Sequence, residues 1–182
     1  MLYRKIVIFI FIMIAGFSSC GKKESDLQKI SPDSARSQYP PEFQHLIGLE
    51  FGPDSFPSGF EEQAGYVFGF MEGNEYVIDH VTKNQTDLLW LCKLTGRDDE
   101  GRPFLKILDL LILPRQQENE MILMGSCKVG GEEDPEIVAV VEFIDNMMVS
   151  EVHHAWRADR KSERFKPFPV DSVECLDESY FL

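Results

Sequence analysis

The chain has 182 residues, is 43% hydrophobic and carries 31 acidic against 18 basic side chains, a formal net charge of −13. Such an excess of negative charge repels phosphate backbones and anionic headgroups, which sets nucleic acid aside as a partner. The length allows one domain with its own hydrophobic core and leaves too little for a second.

In chain order, Arg4 and Lys5 come first as a short positive stretch, followed by an apolar run from Ile6 to Phe17 broken only by the small Ala15 and Gly16. As a helix this run would rise about 18 Å against a hydrocarbon core of about 30 Å, which suits an export leader and not a permanent span. Phe17-Ser18-Ser19-Cys20 resembles the lipobox of bacterial lipoprotein precursors, with Phe17 in place of the usual Leu. The resemblance covers only the first two dozen residues. It implies cleavage after residue 19, acylation of Cys20 and a membrane partner reached through that anchor. It also implies a location outside the cytoplasm, with Gly21 in place of a retention Asp pointing to the outer membrane in a Gram-negative cell. Residues 1–19 contain two basic and no acidic side chains, so the processed chain keeps 16 basic groups against 31 acidic ones, a charge of −15. That charge serves solubility first and complements a basic protein partner.

Residues 20–45 are polar, punctuated by Pro32, Pro40 and Pro41, and poor in aliphatics, so they predict a flexible tether. A helical turn is expected at Pro41–Leu46. The globular domain is expected over 46–182. Within it, 50–60 holds Gly52-Pro53, Phe56-Pro57 and Gly59 and predicts an irregular lead-in loop. Tyr66–Phe70 and Tyr76–Ile78 flank the turn formers Glu72-Gly73-Asn74 as a first hairpin. Leu88–Leu94 and Phe104–Leu113 make a second, across Gly96–Gly101, and Met121–Val129 and Ile137–Ile144 a third, across Gly130–Pro135. The β-branched run Ile137–Val141 predicts a strand buried on both faces. Val152, His154, Trp156 and Ala158 alternate as a strand, with the aromatic run Phe165–Phe168 as its return. Pro167 and Pro169 place that return on a sheet edge, where a missing N–H is tolerated. The predicted class is all-β, an antiparallel sandwich or small open barrel of about six to seven strands. The alternative is α+β with a helix near 147–158, where Met148, Val152 and Ala155 also recur at helical spacing.

Three cysteines remain beside Cys20. Cys92 sits in the bulky run Leu88–Leu94 and is expected in the core, whereas Cys127 and Cys175 lie near element ends and are the preferred disulfide pair. Their spacing fits no zinc or redox motif. Of the four histidines, His153 and His154 are adjacent and would point to opposite faces of a strand; one of them could join His80 and a carboxylate, and His45 stands apart. The acidic loops Asp98-Asp99-Glu100 and Glu132-Glu133-Asp134 predict solvated turns and lack the spacing of an EF-hand calcium loop. Gly125-Ser126-Cys127 lies inside a predicted strand and lacks the strand-turn-helix elbow of a serine nucleophile. Asn84-Gln85-Thr86 fits a glycosylation sequon only by chance behind a bacterial leader. Aromatics around 51–60 form either core or a contact patch.

No catalytic residue, metal ligand or cofactor motif is therefore assigned, and no cofactor is expected. The expected role is a membrane-anchored envelope lipoprotein acting as a non-catalytic binding or accessory module. The rivals are a small hydrolase or metal-dependent enzyme built on His80, His153 or His154, and an acidic inhibitor or immunity-type protein. Two histidines and a carboxylate converging in one pocket would favour the enzyme.

Overall fold

A computed structural model describes residues 38–69, 75–144 and 146–177. The expected leader, Cys20 and the expected tether up to residue 37 lie outside the described residues, as does the expected turn of the first hairpin at 70–74. The described chain is all-β and antiparallel, with two short 3-10 turns at Gln44–Leu46 and Val170–Ser172. No helix among the described residues is long and apolar enough to cross a membrane.

The first sheet holds β1 (Glu50–Phe51), β2 (Glu61–Phe68), β3 (Tyr76–Lys83), β4 (Thr86–Arg97) and β5 (Pro103–Ile112), in the order β1-β5-β4-β3-β2. The second holds β6 (Glu120–Met124), β9 (Ile137–Glu142), β11 (Val152–Asp159) and β12 (Arg164–Pro167), in the order β12-β11-β9-β6. The third joins β7 (Cys127–Val129), β8 (Glu132–Glu133), β10 (Met148–Val149) and β13 (Val173–Leu176), in the order β10-β13-β7-β8. None closes into a barrel.

Because strand side chains alternate between faces, the clusters of buried residues show how the sheets stack. Val77, Val81, Leu88, Trp90, Cys92, Leu105 and Ile107 bury one face of the first sheet under Tyr39, Phe43, Leu46, Phe51 and Phe60. Its other face, with Ile78, Leu89 and Leu91, meets Val138 and Ala158 of the second sheet. Ile137, Ala139 and Val141 then face Cys127, Val149, Val173 and Cys175 of the third. The second sheet is thus the middle layer, and all five residues of Ile137–Val141 are fully buried, as their β-branched run predicts.

Several boundaries differ from the sequence pattern. The tether ends before residue 45, because Tyr39 and Phe43 are buried in the core and the Tyr39 hydroxyl donates to Asp109 Oδ1. The 147–158 segment is β10 and β11 and contains no helix, since β10 pairs with β13 and β11 with β9 and β12. The predicted strand Met121–Val129 is two strands in different sheets, β6 and β7. It breaks at Gly125, whose φ of +75° favours glycine and whose Cβ, if added, would lie 2.0 Å from the Tyr66 ring. A hairpin that the sequence pattern leaves unpredicted joins β3 to β4 through Asn84 and Gln85, at φ +50° and +64°. Two left-handed residues in succession suit the right-handed twist of the flanking strands, and Gln in place of Gly weakens the local signal. The strands outnumber the expected six or seven because the added ones are mostly short pieces of two to four residues. β12, with Pro167, lies on a sheet edge.

Candidate functional site

Val77, Asp79 and Val81 lie on the same face of β3, so the fold places a carboxyl group in an apolar stripe. Asp79 is directly opposite Trp90 on β4, with Cys92 one step along the same face. Trp90 is enclosed by rings from the lead-in loop: Phe60, Phe56 and Phe51, at centroid distances of 5.0, 5.5 and 6.0 Å. The loop aromatics are thus mainly core, and the expectation of an open contact patch there reduces to Phe56, which stays half-buried.

Between this loop and the sheet lies a pocket of about 300 Å³ lined by Phe51, Phe56, Pro53, Pro103 and Leu105, with Asp79, Glu62 and Arg102 as its charged members. Asp79 is only 3% exposed, and its Oδ2 has no hydrogen-bond partner. Burial away from water, then the charge of Glu62, push its carboxyl up to about 7, against a smaller opposing effect of the Cys92 thiol, which bonds to it. Burial and the neighbouring Asp79 charge in turn push the Cys92 thiol well above its ordinary range, so Cys92 is a neutral core group and not a nucleophile. Arg102 does not neutralise Asp79: its guanidinium is held by Asp98 at 2.8 Å, Glu100 at 3.2 Å and Asp54 at 3.4 Å. The result is a mostly apolar cavity with one buried carboxyl group, of which Oδ2 is unpartnered, the combination by which binding pockets are recognised. A larger cleft of about 500 Å³ beside Asn84–Asp87 and Leu113–Gln116 is polar, and its one unpartnered atom, Gln116 Nε2, belongs to a half-buried side chain.

The residues singled out from sequence lie elsewhere. Cys127 and Cys175 are cross-strand neighbours of β7 and β13 and are joined by a disulfide, while Cys92 is free and buried. Ser126 lies at the break between β6 and β7, not inside a strand. His80 pairs with Asp87 at 2.7 Å in the first sheet. His153 pairs with Glu120 at 2.5 Å in the second, with Glu142 3.8 Å away, and His154 stacks on Trp156. None lines the pocket, and the described residues contain no group of three acidic, histidine or cysteine side chains placed to hold a metal ion. In the acidic loops, Asp98 accepts bonds from the Glu100 and Arg102 amides and Asp134 pairs with Arg157, so both serve as turn anchors.

Asp79 is the residue that sequence reasoning missed. Its signal is present: an acid at the period-two position shared by Val77 and Val81 must enter the core if they do. Compared with protein-family models, curated proteins and solved structures, the chain matches none.

Proposed function

We propose that this protein is a membrane-anchored envelope lipoprotein whose folded domain is a non-catalytic binding module, with the pocket beside Asp79 as its ligand site. The observation that carries the reading is the buried Asp79 carboxyl, whose Oδ2 has no hydrogen-bond partner, within apolar walls. An unsatisfied buried polar group costs about 1–3 kcal/mol, and a bound donor would remove that cost. Of the histidines of the enzymatic rival, His80 and His153 sit in different sheets, each paired with its own carboxylate, and His154 stacks on Trp156, which weighs against a shared catalytic centre. The acidic inhibitor reading draws on net charge alone and has no localised surface behind it.

The test is a panel of small neutral, anionic and cationic fragments titrated into the full chain and followed by NMR. Binding should perturb Phe51, Phe56, Asp79, the Trp90 indole and Leu105 together. Perturbations that map elsewhere, or no binding by any fragment, would overturn the assignment of the pocket.

A further inference from the structure

Asp79 and Glu62 both line the pocket. Gly65, directly opposite Asp79 on β2, has both carboxyls beside it: a Cβ added there would lie 3.2 Å from Asp79 Oδ1 and 3.6 Å from Glu62 Oε1. An irregularity in the β2–β3 pairing between Glu62 and Ala64 puts Glu62 opposite Val81, on the Asp79 face. No cation among the described residues pairs with either carboxyl, and Arg102 is engaged by three other acids. The site therefore offers acceptors and a surplus of negative charge; its own donors are the Cys92 thiol and the Arg102 guanidinium, which three acids outside the pair already hold.

We infer that the pocket takes a small organic ammonium ion with a compact apolar body, its charged head at Asp79 and Glu62 and its body among Phe51, Phe56 and Leu105. This rests on the reading of the pocket as the ligand site and adds the ligand's charge and shape. An ammonium group brings three donors and no acceptor, matching carboxylates that lack donors. A carboxylate ligand would meet two like charges, and an alcohol would supply one donor and no charge. The aromatic walls fit either an aliphatic or a ring-bearing body and add cation–π attraction at the head.

Three probes of equal shape separate these cases: phenethylammonium, 2-phenylethanol and phenylacetate, titrated calorimetrically into the full chain at pH 8. Phenethylammonium should bind with a Kd of about 1 mM or tighter, as a ligand of its size can. The alcohol should be at least about tenfold weaker and the acid silent, since a charge-assisted bond is about twice as strong as a neutral one. Asp79→Asn should cost the ammonium probe at least about tenfold. The exposed Glu62→Gln, which does not disturb the core, should cost about threefold, so the inference stays testable if the Asp79 variant folds poorly. Acidification to pH 6 should weaken the ammonium probe about ninefold in the parent and little in Asp79→Asn, because the ionised fraction of a carboxyl near 7 falls from nine-tenths to one-tenth. The other groups facing Asp79 are Glu62 from β2, Cys92 from β4 and Arg102 from the β4–β5 loop, and the thiol and guanidinium keep their protonation across this range. If the alcohol or the acid binds as tightly as the ammonium, the charge selection is wrong and the pocket reading stands. If phenethylammonium fails while other fragments mark the pocket, the same conclusion follows. If no fragment marks the pocket, both fall.

Discussion

Two buried aspartates carry an electrostatic cost in this fold. Asp79 is pushed up to about 7 and Asp109 to about 6, both by burial. Asp109 is the better supported, since Tyr39 donates to one of its oxygens and the Phe165 amide to the other at 2.6 Å. A carboxyl whose folded pKa exceeds its unfolded value binds more protons in the folded state. Stability is then greatest below about pH 4 for these groups and falls as pH rises through 6 and 7. For Asp79 the shift corresponds to at most about 4 kcal/mol at pH 8. Asp79→Asn is therefore expected to raise the melting temperature at pH 8 and to leave it nearly unchanged at about pH 3, below the ordinary carboxyl range. Thermal melts of parent and variant across this range check it, and parallel pH profiles would contradict it. A group that lowers stability is what a binding site holds when its partner is absent.

At the scale of elements, the decisive event is the break at Gly125. Tyr66 of β2 lies flat on this glycine, so the edge of the first sheet closes over the point where β6 leaves the second sheet and β7 enters the third. Gly125→Ala should destabilise by more than about 2 kcal/mol, combining left-handed strain with a clash against the ring. Gly101→Ala is the control: φ is +82° there, but nothing lies within 4 Å of the added methyl, so only about 1 kcal/mol should be lost. Equal losses in chemical denaturation would show that Tyr66 contributes nothing. The third sheet depends on the disulfide, because its strands run from two to four residues and cannot hold register alone. Cys127–Cys175 spans 48 residues of sequence, a closure worth about 3–4 kcal/mol in the chain-entropy model. Reduction should lower the melting temperature and raise hydrogen exchange first in β7 and β13, leaving β3 and β4 protected.

For the whole molecule, the charge of the processed chain and the lipobox resemblance act together. An acylated Cys20 would hold an acidic domain at a membrane surface, with the segment after it as spacer, since each buried methylene of the anchor contributes about 0.8 kcal/mol. Cys20→Ala should abolish incorporation of labelled fatty acid and leave an uncleaved precursor in the cell. Labelling that persists in the variant would remove the anchor from the proposal. Association with a basic protein partner should weaken with salt, because exposed charges are screened within about 8 Å at physiological ionic strength.

The parts of the fold that local chemistry dictates are readable from residues alone. The β-branched run Ile137–Val141, the Gly-rich loop between β4 and β5, and Pro167 on a return strand each prescribe their own backbone, so a mostly antiparallel β class is readable locally, while helix or strand at 147–158 is decided only by the pairing of β10 and β11. Cys92 inside a bulky strand and Cys127 and Cys175 near element ends belong to the same kind of local inference. What required the tertiary structure is whatever depends on residues distant in sequence. Met121–Val129 has the composition of one strand, and only the Tyr66 ring over Gly125 shows why it is two. Asn84-Gln85 turns because the whole of β3 pairs with β4, and Tyr39 and Phe43 join the core because the first sheet has an apolar face to cover. The pocket is the extreme case: Asp79, Glu62, Phe51, Phe56 and Leu105 come from four separate segments, and no local pattern records that they meet.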